Sequence, residues 1–251
     1  MLTLIILLLM ILIPVPAMLR YMLFGRNAYR GILEGSLSAV TGVAFAFLIY
    51  WSVTGATIFD AINSSLNRIS IEDMNMGAYT MLGAEPLQPD TMQLMLDNMK
   101  ETTKLAVPGL LIIFCMIVAY VDYALISRVL SKSGKKISAL PPLRVFSLPK
   151  NIVIGSLIVY ILAYLTVNLG IIDGSLMMYN LEMLFTFIFS IQGLAVIFYF
   201  GFLKRIPKFL VVILSGVFFL TWFGQTFLFL LGLIDVVLDI RKRISQTNIK
   251  I

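Results

Sequence analysis

The chain has 251 residues, 60% of them apolar and 13% charged, with a formal net charge of +6. Its apolar residues form long blocks, which excludes a soluble domain with a charged exterior and a β-barrel that alternates in segments of about 10 residues; an all-α, polytopic transmembrane helix bundle remains. Histidine is absent and cysteine occurs once, at Cys115, so imidazole acid–base chemistry, intramolecular disulfides and thiolate clusters are removed, and no metal site or cofactor is expected.

In chain order, apolar spans are predicted over 2–19, 31–53, 106–127, 151–169 and 178–203, followed by a block at 209–240. The first span lacks a basic leading region, and IPVPAMLRYMLFGR offers no small-residue cleavage site, so it reads as a retained helix rather than a signal peptide. Segment 54–104 is too long for a simple connection and is predicted to be extracytoplasmic. Within it PDTMQLMLDNMKETTK places Met92, Met95, Leu96 and Met99 on one helical face behind an Asp90 or Thr91 cap. That face suits a helix lying along the interface before the chain enters the membrane near Pro108.

Charge assigns the sides. Segments 20–30, 128–150, 204–208 and the tail after 240 hold 16 of the 19 Lys and Arg and no acid, whereas 54–104 sets Arg68, Lys100 and Lys104 beside seven acids. The basic segments are therefore predicted to be cytoplasmic, with 128–150 a basic cytoplasmic loop and the N-terminus outside. This alternation makes the positive charge a topology signal with some attraction to anionic head groups. The bilayer is the expected partner and nucleic acid is not.

The block between Lys208 and Arg241 would measure about 48 Å as one helix, against a hydrocarbon core of roughly 30 Å. Basic residues at both ends require an even number of crossings, so a short hairpin over 209–222 and 226–240 is predicted. Its turn lies at Gly224, Gln225 and Thr226 within TWFGQTF. The rival is one tilted helix over 209–234. With the hairpin the count is about seven membrane segments in a single integral membrane domain, 1–251, with a cytoplasmic C-terminus.

Acids fall at Glu34, Asp122, Glu182, Asp235 and Asp239 within or beside the spans. Glu34 lies four residues after Arg30, Asp239 four before Arg243, and Glu182 one turn into its helix, so surface pairing and the helix dipole account for these three. Asp122 lies deeper, some four turns in from Val107, between Tyr120 and Tyr123, and predicts a buried polar contact. Asp235 and Asp239 share a face that could hold a divalent cation or a basic head group. However, the acid spacing of CDP-alcohol phosphotransferases and the YD and GxGD pairs of intramembrane aspartyl proteases are missing, as are P-loop, GxSxG and HExxH motifs. Met74, Met76, Met81, Met92, Met95 and Met99 invite a Cu(I) reading, yet Met equally suits an adaptable apolar face and no His or Cys accompanies them. Asn168, Asn180, Gln192 and Gln225 are the polar groups best placed to line a cavity. Interhelical hydrogen bonding is the alternative, with Gly193 allowing close helix approach.

Five stretches together resemble the YybS-like family of bacterial membrane proteins. They are PVPAMLRYMLFG (14–25), VPGLLIIFCMIVAYVDYALISRVL (107–130), ISALPPLRVFSLPKN (137–151), SIQGLAVIFYFGFLKRIPK (190–208) and LLGLIDVVLDIRKR (230–243). The PPL…LPK loop is the most specific, with Val145 and Phe146 standing where the family shows a tryptophan. Members of that family usually begin with one or two further membrane helices, so the resemblance implies either a divergent member or a start codon placed too late. The family in turn is similar to the substrate-binding S components of energy-coupling-factor transporters, a likeness carried by PVP…FG and the glycine-rich second helix from Gly31 to Gly55.

From these readings the expected function is a non-enzymatic, S-component-like subunit of the cell membrane that binds a small molecule for uptake. Asp122, Tyr123, Asn168, Asn180, Gln192 and Gln225 would be the ligand groups. Arg128, Lys135, Lys136 and Arg144 would dock an energy-coupling transmembrane subunit and ATPase. The alternative is a non-transporting cell-envelope scaffold or regulator whose contact surface is 54–104. A lipid-modifying enzyme resting on Asp122, Asp235 and Asp239 ranks third.

Overall fold

The computed structural model describes residues 11–24, 27–70, 88–133, 137–138, 140–170 and 174–248. These residues are helical apart from turns and short connections and contain no strand. The chain divides into two compact units, 1–138 and 139–251.

In the first unit, α1 (Pro14–Leu23) has a proline at its first position, where the fixed φ suits the helix start. Helix α2 (Ala28–Thr54) is capped by the Asn27 side chain, which accepts from the Tyr29 N–H, and it stops at Gly55 in the left-handed region at φ 69°. Its buried face carries Ala28, Gly31, Gly35, Ala39, Gly42 and Ala46 at three- and four-residue intervals. Small side chains on one stripe let α1 and the next long helix approach the α2 backbone. Helix α3 (Ile58–Asn67) opens with a reciprocal capping box between Thr57 and Asp60.

Helix α4 (Pro89–Lys132) has 44 residues and passes through Pro108 as one helix, so the interfacial helix expected at its start is continuous with the span. At about 66 Å it is twice the hydrocarbon thickness, so a good part of it must project beyond the membrane. The face predicted at its start divides: Met92 and Leu96 are buried, while Met95 and Met99 are exposed. Met74, Met76 and Met81, like Lys135 and Lys136, lie outside the described residues.

In the second unit, the PPL…LPK loop contains a single 3-10 turn, Leu143–Val145, before α5 (Asn151–Asn168). Helix α6 (Gly174–Leu203) ends on a left-handed residue, Arg205 at φ 54°, and Ile206 N–H closes back on the Gly201 carbonyl at 2.9 Å. That closure normally recruits glycine at the left-handed position. Pro207 then leads into α7 (Lys208–Leu220), followed by α8 (Trp222–Leu238) and α9 (Ile240–Asn248).

The disputed block is therefore two helices, α7 and α8, bent by 107°. The break falls at Thr221, not at Gly224–Thr226. Thr221 is extended, donates its hydroxyl to the Val217 carbonyl at 2.9 Å and accepts from Gly224 N–H at 3.3 Å, so it ends one helix and caps the next. Gly224 sits inside the first turn of α8, where an added Cβ would meet the Phe218 carbonyl oxygen.

Among the described residues four helices, α2, α4, α5 and α6, are long and apolar enough to cross a membrane, or five spans if the bent α7–α8 pair counts as one. The seven segments counted from hydropathy are not reached among them, because α1 has 10 residues and α7 only 13.

Candidate functional site

Within the second unit, α6 and α8 pack most extensively, and two glycines make this possible. A Cβ at Gly193 would meet the Leu228 carbonyl oxygen, and one at Gly232 would meet the Phe189 carbonyl oxygen. The two backbones touch where these residues face each other. This contact brings Gln192, fully buried on α6, against Asp235, 3% exposed near the end of α8.

The Gln192 amide nitrogen donates to Asp235 Oδ2 at 2.6 Å, and its carbonyl oxygen accepts from Leu148 N–H at 3.0 Å. Arg241 completes the cluster. Its Nε and Nη2 reach Asp235 Oδ2 at 2.9 and 2.8 Å, its backbone N–H reaches Oδ1 at 3.3 Å, and its Nη1 donates to the Arg144 carbonyl at 3.0 Å. A side chain six positions on can return to Asp235 because Asp239 reverses the chain, at φ 51°, between α8 and α9. Asp239 itself pairs with Lys150 at 2.6 Å and, more distantly, with Lys242 at 3.7 Å. The hydrogen bond from Lys150, aided by its charge and that of Lys242, holds the Asp239 carboxyl below the usual carboxylate range.

Together these contacts clamp the loop 144–150 onto the middle of α6 and the end of α8. Each polar group is satisfied, so the cluster is suited to rigidity rather than to exchange with a ligand. The sequence singled out Gln192 and Asp235 but not their pairing with each other or with Arg241. An acid and a cation six apart share no helix face, so no helical spacing announces them.

The other predicted site residues of this unit are held close to home. Asn168 donates to the Tyr164 carbonyl at 2.7 Å and Asn180 to the Leu176 carbonyl at 2.6 Å, each one turn back in its own helix. Gln225 contributes its backbone carbonyl, which accepts from Ser190 at 3.5 Å. Arg144 lays its guanidinium 3.7 Å from the centre of the Phe202 ring, a cation–π contact.

In the first unit Tyr123 is fully buried, with ring carbon Cε2 standing 3.0 Å from where a Gly31 Cβ would lie. Its hydroxyl donates to the Ser138 carbonyl at 2.8 Å, and Ser138 N–H donates to the Met22 carbonyl at 3.3 Å. Tyr123 thus ties α4 to the chain that follows it and to α1. Tyr21 of α1 donates its hydroxyl to Glu34 of α2 at 2.9 Å, so the Glu34 carboxylate is used between helices.

Asp122 differs from all of these. It is 8% exposed, and its Oδ2 has no hydrogen-bond partner among the described residues. A buried carboxyl oxygen without a donor is costly inside an apolar span. Chemically it offers one open acceptor for an N–H, an O–H or a cation. Arg128 lies on α4, six positions on toward the basic end.

Comparison with known proteins gives a consistent class. The profile of a family described as "Predicted membrane protein (DUF2232)" matches residues 1–236. A protein of Bacillus subtilis (strain 168), "Uncharacterized protein YybS", is 24% identical over 214 residues, covering 85% of this chain and 68% of that one. No solved structure matches.

Proposed function

Since the chain belongs to the DUF2232 family of predicted membrane proteins and is a multi-pass integral membrane protein, we propose that it is the small-molecule-binding subunit of an uptake system, acting without catalysis in the manner of an S component. Asp122 is the group that reads the ligand. The observation that carries this reading is the buried Asp122 oxygen, without a hydrogen-bond partner among the described residues, on a helix long and apolar enough to cross a membrane. A carboxylate so placed favours a ligand that brings a cationic or strongly donating group, because binding supplies the missing partner.

In this reading seven segments cross the bilayer, the N-terminus is outside and the basic loops, with Arg128, Lys135, Lys136 and Arg144, face a cytoplasmic energy-coupling transmembrane subunit and ATPase. The α7–α8 pair forms the last two segments. Leu220, Trp222 and Phe223 at its bend are 85%, 85% and 77% exposed, which suits a tip at the interface.

Two measurements test this function. Affinity purification from native membranes is expected to bring down an ATPase with its transmembrane partner. A deletion strain is expected to lose uptake of one radiolabelled vitamin or trace metal, and Asp122→Asn is expected to reproduce that loss with normal protein levels. Normal uptake of every such compound by the deletion strain would overturn the proposal.

A second reading, a non-transporting scaffold, draws support from the second unit, where Gln192, Asn168 and Asn180 all bond to the protein's own chain. Removing residues 54–104 separates the two. A scaffold loses its partners in pull-down, whereas an uptake subunit keeps its ligand.

A further inference from the structure

We propose that the second unit carries a site for an anionic glycerophospholipid at the basic end of α6 and α7, independent of Asp122. A cavity of about 520 Å³ lies there, lined on its apolar side by Phe198, Phe202 and Val211 and on its polar side by Arg144, Arg205 and Lys208. Its lining residues include three cations and no acid. The volume falls within the roughly 300–1,000 Å³ of small-molecule sites.

Six cations of this unit fall into two groups. Lys150, Arg241 and Lys242 have carboxylate partners in Asp239 and Asp235. Arg144, Arg205 and Lys208 have none among the described residues, and Arg144 is oriented by its stacking on Phe202. Arg205 and Lys208 at the turn joining two apolar helices, with Arg144 lining the same cavity, give three cations without acid partners among the described residues, a setting that suits a lipid phosphate.

Arg205 adds an argument of its own. The reversal after α6 places it at φ 54°, a position that glycine would occupy without strain. An arginine held there trades backbone comfort for a guanidinium at the cavity rim.

The occupant is lipid rather than a soluble anion because of what surrounds the cations. Phe202, Phe209, Leu210 and Val212 beside the cavity are exposed apolar residues, the surface that a membrane helix turns to acyl chains. Ser215, four positions after Val211 on the same face of α7, is buried and its hydroxyl has no partner among the described residues. A phosphodiester on Arg205 and Lys208, with one acyl chain along Phe198, Phe202 and Val211, matches both the charge and the apolar lining.

Native mass spectrometry of the detergent-purified full chain, with phosphatidylglycerol and phosphatidylcholine in competition, tests this. The wild type is expected to retain phosphatidylglycerol preferentially, and millimolar inorganic phosphate is expected not to displace it. Arg205→Gln with Lys208→Gln is expected to weaken phosphatidylglycerol binding by roughly thirtyfold, about fivefold per cation, and to leave phosphatidylcholine unchanged. Both side chains are exposed and have no acid partner among the described residues, so the fold should survive, which thermal melting checks. Arg205→Gly relieves the backbone and removes one cation, so it is expected to weaken phosphatidylglycerol binding about fivefold with melting no lower than wild type. Lys204→Gln, outside the cavity lining, is expected to keep the preference. Equal retention of the two lipids by the wild type, an unaffected double variant, or displacement by phosphate alone would each overturn the site.

Discussion

Replacing Asp235 by alanine should release the loop 144–150 from the second unit. The Arg241–Asp235 contact at 2.8 Å is worth about 6 kcal/mol of Coulomb attraction at an effective dielectric near 20, and the desolvation of two buried ions takes back most of it. Net stability from the intact pair is therefore small. Removing the acid alone is a different matter, because the 11% exposed Arg241 side chain then stays buried without a counter-charge and the Gln192 amide loses its acceptor. Breaking a buried pair in this way costs about 3–5 kcal/mol. The loop reads this out directly, since Gln192 holds Leu148 and Arg241 holds the Arg144 carbonyl. Limited trypsin digestion in detergent, followed at the Arg144–Val145 bond, is expected to accelerate by at least about 100-fold in Asp235→Ala, since 1.36 kcal/mol is a factor of ten. Arg241→Met should behave similarly. The double change Asp235→Leu with Arg241→Met removes both charges and should return cleavage to within about tenfold of wild type. If Asp235→Ala cuts at the wild-type rate, or the double change is as fast as the singles added together, the clamp as described is wrong.

Gly193→Ala and Gly232→Ala each drive a methyl into a backbone carbonyl of the facing helix, and thermal melting is expected to show a loss of at least about 1–3 kcal/mol. Gly216→Ala meets nothing within 4 Å and should be neutral or stabilising by up to about 1 kcal/mol. The Asp239 carboxyl is held below its ordinary value of 3.8, so the Lys150 pairing contributes stability that is complete above that value and is lost as pH falls through the lowered one. Melting followed down from pH 6 through this range should show that decline in wild type, and Asp239→Asn should remove this contribution to it. Cys115 is 1% exposed, so maleimide labelling should be slow in the folded first unit. Tyr123→Phe, which deletes the 2.8 Å bond to Ser138, should speed it by about fivefold if that bond is worth about 1 kcal/mol.

Charge and hydropathy alone determined the membrane class, the helical composition and the need to interrupt the block after Lys208, because these follow from lengths and transfer energies that act on each segment separately. The location of the interruption was not legible. Gly224 and Gln225 have turn chemistry, but the Thr221 hydroxyl, by capping α8 while bonding back to α7, fixes the break three residues earlier. Asp122 could be singled out by its depth along α4, yet its lack of a partner among the described residues is a property of how α1 and α2 pack against that helix. Gln192 and Asp235 are 43 positions apart, and only the glycine-to-backbone contact of α6 with α8 brings them together. Arg241 reaches the same carboxylate through a left-handed reversal at Asp239 that no periodicity encodes. Segment-level chemistry was readable because it is local. The pairing of buried charges was decided by tertiary structure, because a charge in an apolar interior takes whatever partner the packing delivers.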